Sequence, residues 1–217
     1  MSQHEPESGL SFERIVFFSD AVFAIAITLL VLEIKPPHLE VHSESAMRNG
    51  LLHLVPKFSG FIVSFLIIGL MWIEHHRIYR YITDYDMGLL WRNLIFLLTV
   101  SFVPFPTALF SEYYWSQTAF ILYTASFAAV GLTKLWVWQY VVRRGTLLGL
   151  HTDPLTAKRI SRRSLALPLA CALAILLSAV SVWIAPMAFG LIPLLAWLLD
   201  PTRRNEQKDE ASTAAGA

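Results

Sequence analysis

The side chains in this sequence with most capacity for chemistry are the carboxylates Asp20 and Glu74, the imidazoles His75 and His76, and the donors Arg14, Ser19 and Trp72. All lie in or beside two long apolar stretches, RIVFFSDAVFAIAITLLVL (14–32) and IGLMWIEHHRIYRYI (68–82). Ionisable groups in such surroundings are expensive and need a use. One use is structural: indole and imidazole N–H groups can donate to a buried carboxylate and lock one helix against another. A second is a proton relay through Asp20, Glu74 and the histidines, as a proton-coupled carrier requires. A third is metal binding, which the adjacent His75 and His76 support weakly because neighbouring residues diverge on a helix and no HxxxH pair accompanies them. The structural reading weighs most, since buried polar groups are usually paired.

The elements that position these groups follow from composition. Of 217 residues, 55% are hydrophobic, 13% aromatic and 15% charged, and the mean hydropathy is +0.53. That describes an all-α integral membrane protein. A formal net charge of +1 argues against a nucleic-acid partner, and no nucleophile motif, phosphate-cradling glycine loop or nucleotide fingerprint points to an enzyme or to a bound cofactor. The single cysteine, Cys171, sits in an apolar run and reads as a small apolar residue against lipid or a neighbouring helix. The first apolar run is too long for a signal-peptide core.

Six segments approach the length of a membrane span: 12–34, 54–79, 88–110, 117–141, 164–184 and 186–200. Residues 1–11 form a polar N-terminal segment expected to lack order, 12–200 the membrane domain and 201–217 a disordered tail. Pro104 and Pro106 should bend the third span, and Pro186 calls for a tight turn before the sixth. Lys and Arg collect in alternate connections: Arg77, Arg80 and Arg92 around the second, Arg143, Arg144, Lys158, Arg159, Arg162 and Arg163 in the fourth, and Arg203, Arg204 and Lys208 in the tail. This distribution puts both termini on the cytoplasmic side. Tyr113, Tyr114 and Trp115 suit an outer aromatic belt, and Lys134 with Trp136 and Trp138 reads as snorkelling and anchoring at the inner interface. Glu33 and Lys35 read as solvated helix-end charges, and His38, His42 and His53 as exposed histidines.

A helical wheel divides the first span. With Ile25 at zero, Phe18, Val22, Thr28, Leu29 and Leu32 fall within roughly 60°, while Asp20 lies about 140° away and Ser19 about 120° away on the other side. If the Ile25 face lines an axis, Asp20 must face its own subunit, where Trp72 and His75, three apart, and His76 and Tyr79, three apart, offer partners.

Arg14-x-x-x-Phe18-Ser19-Asp20 followed by Trp72-x-x-His75 resembles the signature of the transmembrane-175 family, potassium channels without the usual filter loop. No TVGYG-like sequence occurs in the chain, so a carbonyl-lined filter of the ordinary type is not available. The resemblance implies a homotetramer in the plasma membrane, with six spans per subunit and the first helix of each lining the pore. It implies constricting rings at Ile25, Leu29 and Leu32, a role in cation preference for Thr28, and a packing network of Arg14, Phe18, Ser19, Asp20, Trp72 and His75. Potassium would be the permeant ion and no cofactor is implied. The competing expectation is a proton-coupled secondary transporter, motivated by the same acids and histidines.

Overall fold

The computed structural model describes residues 7–149 and 152–200; the expected tail, 201–217, lies outside the described residues. Nine α-helices and one 3₁₀ helix occur among them: α1 (Glu7–Leu32), α2 (Glu44–His53), α3 (Val55–Tyr79), α4 (Met87–Phe102), α5 (Pro104–Glu112), α6 (Gln117–Arg144), α7 (Pro154–Arg163), α8 (Ala166–Ser178), the 3₁₀ helix Ala185–Leu191 and α9 (Ile192–Leu198). Their starts follow local chemistry. Ser43, Asp86, Ser116 and Asp153 each accept a hydrogen bond from a backbone N–H of the first turn of α2, α4, α6 and α7. Gly145 ends α6 with φ +65°, a conformation that favours glycine.

Among the described residues, five helical stretches are long and apolar enough to cross a membrane: Phe12–Leu32, Val55–Tyr79, Met87–Glu112, Gln117–Arg144 and Pro154–Ser178. The expected sixth is different in kind. Seven 3₁₀ residues run into the seven-residue α9, their rises sum to about 25 Å, and Asp200 just beyond them pairs with Arg159 of α7, so the segment returns to the end at which α8 begins. Pro186 lies inside the 3₁₀ helix, and the turn before it occupies residues 179–184. Two further expectations change: α1 begins at Glu7, inside the segment read as disordered, and the first connection contains the amphipathic α2.

The third span bends where the prolines predict. Pro104 has no N–H to give Val100, whose carbonyl is taken instead by Val103 N–H at 3.2 Å. Val103 stays right-handed, so α4 and α5 form one span broken by a kink. α1 packs on α3 and α4; α6 packs on α4, α5 and α8; α3 packs on α5. Phe23, Phe96, Phe120, Phe127 and Trp138 are buried in one continuous core. Ser64 Oγ lies 3.0 Å from Thr107 Oγ1 and 3.1 Å from Tyr123 Oη, a polar knot tying α3, α5 and α6 together within apolar surroundings.

Lys134 and Trp138 are not interfacial anchors. Both are buried, and Trp138 Nε1 donates to Ala157 O and Ser161 Oγ, pinning α7 to α6. The sequence misleads here because α7 folds back over the C-terminal part of α6 and covers side chains that local composition alone would leave exposed. Cys171 is buried against neighbouring helices. At the same end Asp86 accepts from Tyr140 Oη at 2.6 Å and lies 3.5 Å from Arg144 Nε, clamping α4 to α6. Partial burial works against ionisation of Asp86, but the hydrogen bonds from Tyr140 and from backbone N–H groups, with the charge of Arg144, outweigh it and hold its carboxyl below the ordinary range.

Two predictions follow from this packing. A Cβ at Gly131 would sit 2.7 Å from Pro168 Cδ, whereas one at Gly69 meets nothing within 4 Å. Gly131→Ala should therefore destabilise the α6–α8 contact by about 1–3 kcal/mol and lower the melting temperature in detergent, with Gly69→Ala as the neutral control. Because the folded-state pKa of Asp86 is depressed, its contribution is present above the ordinary value of 3.8 and is lost as pH falls through the lower folded value. The gap in melting temperature between wild type and Asp86→Asn should stay constant near neutrality and shrink below about pH 4.

Candidate pore helix and its anchor

Helix α1 is divided lengthwise. Ser19, Phe23, Ala26 and Leu30 are buried against the rest of the chain. Phe18, Ile25, Leu29 and Leu32 are open, with Ile25 58%, Leu29 40% and Leu32 67% exposed, and Thr28 is open beside them. On the wheel the exposed positions form one continuous arc of roughly 160° around the Ile25 side. No part of the described chain covers that arc.

Two hydrogen bonds on two different helices fix the rotation of α1. Asn93 Nδ2 of α4 donates to Ser19 Oγ at 3.0 Å, while Ser19 Oγ donates to Ile15 O at 2.8 Å, so the buried hydroxyl uses both its donor and an acceptor position. Trp72 Nε1 of α3 donates to Asp20 Oδ1 at 2.8 Å. Asp20 is half-buried, at the boundary between the covered and the open arcs. Its carboxylate therefore turns toward its own chain, as the wheel required.

His75 plays a different part from the one its spacing suggested. It is 2% exposed and stacks on Tyr79, with ring centroids 4.1 Å apart, and on Phe96, 5.5 Å apart at 8°, with Phe23 tilted against it at 5.6 Å. The ring pairs on α3 are Trp72 with His76 and His75 with Tyr79, four apart rather than three. Trp72 thus faces Asp20 at the rim, while His75 fills the space between α1, α3 and α4. Its polar neighbour is Asn93, although neither imidazole nitrogen nor Asn93 Oδ1 completes a well-formed hydrogen bond.

Arg14 and Phe18 stand at the edge of this network: both are exposed and line a shallow groove together with Ile15 and with Trp91, Asn93 and Leu94 of α4. Asn93 was missed by the sequence reading. Its signal was an amide third in WRNLIFLLTV, directly ahead of the apolar run that begins at Leu94. Thr28 Oγ1 donates to Ile25 O at 2.9 Å, so its proton is spent inside the helix and its lone pairs face outward. Glu74 is held by Arg77 of its own helix and Arg163 of α7, each at 3.2 Å. Among the described residues no group of three His, Cys, Asp or Glu side chains could hold a metal ion.

Comparison with known proteins adds context to this geometry. A family profile described as "Endosomal/lysosomal potassium channel TMEM175" matches residues 14–104, which include α1, α3 and α4 in full but for the first turns of α1. A potassium channel of Streptomyces collinus is 36% identical over 200 residues, covering 87% of this chain and 90% of that protein. One from Chamaesiphon minutus is 37% identical over 175 residues, covering 79% and 86%. A crystal structure described as a lysosomal potassium-selective channel TMEM175 homologue from Chamaesiphon minutus superposes with a TM-score of 0.73 at 33% identity, covering 87% of this chain and 98% of that one.

The anchor makes an energetic prediction. Hydrogen bonds between helices in a membrane are worth about 0.6 kcal/mol on average and up to about 1.7. A thermal double-mutant cycle of Asp20→Ala and Trp72→Phe should give a coupling of about 0.5–2 kcal/mol, whereas Asp20→Ala with Trp91→Phe should be additive.

Proposed function

This chain belongs to the TMEM175 family, and from that premise we propose that it is a potassium-permeable cation channel in which four copies bring their α1 helices around one axis. The observation that carries the reading is the open arc of α1. The helix turns its polar anchors toward its own chain and presents an apolar face to which the rest of the described chain supplies no partner. Bacterial relatives at 36–37% identity bear the name potassium channel. The concentration of Arg and Lys at the end formed by α6 and α7 orients that end, and both termini, toward the cytoplasm of a cell whose plasma membrane the protein spans.

In this arrangement Ile25 forms the narrow ring, with Leu29 and Leu32 as further rings one and two turns toward the outside. An apolar ring of this kind gates by dewetting: water leaves a narrow constriction, and a hydrated cation cannot enter until the ring widens. The oxygen of Thr28, whose proton is already donated to Ile25 O, can accept but not donate, so a ring of four favours cations over anions. The C-terminal ends of four α1 helices would converge at the outer mouth, each carrying about half a negative charge, and the exposed Glu33 follows immediately. Potassium is the permeant ion and no cofactor takes part.

The proton-coupled transporter draws on the same acids and fits less well. Asp20 is held by Trp72 and Glu74 by two arginines, while His75 is enclosed by aromatic rings.

Ile25→Asn should increase single-channel conductance in planar bilayers and move the reversal potential under a potassium–sodium gradient toward zero. Unchanged currents would remove Ile25 from the constriction.

A further inference from the structure

A cavity of about 380 Å³ opens at the cytoplasmic end, away from the proposed pore, between α3, α6, α7 and α9. Its polar half holds Lys134, Arg159 and Arg163 against Glu74 and Asp200, a surplus of one positive charge among the described residues. The other pairings are made. Arg159 Nη2 meets Asp200 Oδ2 at 2.6 Å, and Arg163 Nε meets Glu74 Oε1 at 3.2 Å, where Arg77 also binds. Lys134 is the least well compensated: it is 4% exposed, has no carboxylate within 4.0 Å among the described residues, and is attracted by Glu74 only from farther off.

A second polar group points the same way. Ser164, between α7 and α8, lines the cavity at 2% exposure, and its Oγ has no hydrogen-bond partner. A buried hydroxyl with no partner among the described residues, beside a buried cation that Glu74 attracts only from beyond ion-pair distance, makes a donor set for an anionic oxygen. The remaining wall is apolar, and Leu70 and Trp197 are exposed on its outer side, where acyl chains would lie. A cationic, donor-rich pole joined to an apolar slot opening on the bilayer matches an amphiphile and not a free ion.

We infer that this cavity binds the phosphate group of an anionic phospholipid from the cytoplasmic leaflet, with Lys134 and Ser164 as its donors and the Leu70–Trp197 side receiving the upper acyl chain. The bound lipid joins α3, on which Trp72 sits, to α7 and α9. The inference stands apart from the conduction reading, because its test reads lipid binding.

The test uses the purified full-length protein in detergent, titrated with phosphatidylglycerol or phosphatidylcholine and read by native mass spectrometry and melting temperature. Phosphatidylglycerol should be retained and raise the melting temperature, and phosphatidylcholine should do neither. Lys134→Gln should weaken phosphatidylglycerol binding about tenfold, the loss of one charge-assisted contact. Ser164→Ala, which removes an unpaired hydroxyl and leaves the packing intact, should weaken it less, and the exposed Arg143→Gln should not change it. Equal retention of the two lipids, or undiminished phosphatidylglycerol binding in both Lys134→Gln and Ser164→Ala, would overturn the inference. Displacement of phosphatidylglycerol by millimolar inorganic phosphate would also overturn it, by assigning the site to a free anion.

Discussion

The architecture depends on the rule that a polar group inside a hydrocarbon slab must find its partner within the protein. Ser19 and Asp20 are consecutive, so they leave α1 in directions about 100° apart, and no single neighbour can satisfy both. Asn93 on α4 takes one and Trp72 on α3 takes the other. Two bonds to two helices define both the rotation and the depth of α1. Turning the helix by one residue would break both, and in one direction would carry the carboxylate onto the open face.

Those bonds specify more than they stabilise. At about 0.6 kcal/mol for a typical interhelical hydrogen bond in a membrane, they are small beside the burial of Phe23, Phe96 and the His75 ring stack that fills the same junction. Packing holds α1 in place, and the polar pair selects which of several packable rotations is adopted. The Ser64–Thr107–Tyr123 knot does the same on the far side of α3, where the proline kink brings α5 within reach. The open face of α1 is therefore a consequence: once the polar side is committed to α3 and α4, the Ile25 side has nothing left to meet among the described residues.

Much of this was legible in the sequence, for reasons that differ between elements. The first four spans, the bend at Pro104 and the division of α1 are periodic or chemical signals that tertiary contacts do not alter. Asp20 with Trp72 was readable because a carboxylate and an indole in apolar runs have few other uses. Asn93 was harder, since an uncharged amide in a span carries no penalty large enough to stand out. The Lys134 and Trp138 reading failed because α7, only ten residues long, folds over them, and burial by a distant segment leaves no mark in local periodicity. The last span differs in backbone from its expectation for a related reason: apolar composition from 186 to 200 reports an environment, whereas Pro186 and Pro193 decide that the backbone there is 3₁₀ followed by a short α-helix.

The central claim is that ions pass along the Ile25 side of α1 and not along the side that carries Asp20. It is tested most directly by single-cysteine substitution along residues 22–32 in a Cys171→Ala background, with current recorded before and after a charged thiol reagent. The account predicts rapid block at positions 25, 29 and 32 and none at positions 23, 26 and 30. Block at 23, 26 or 30 with protection at 25 would contradict it.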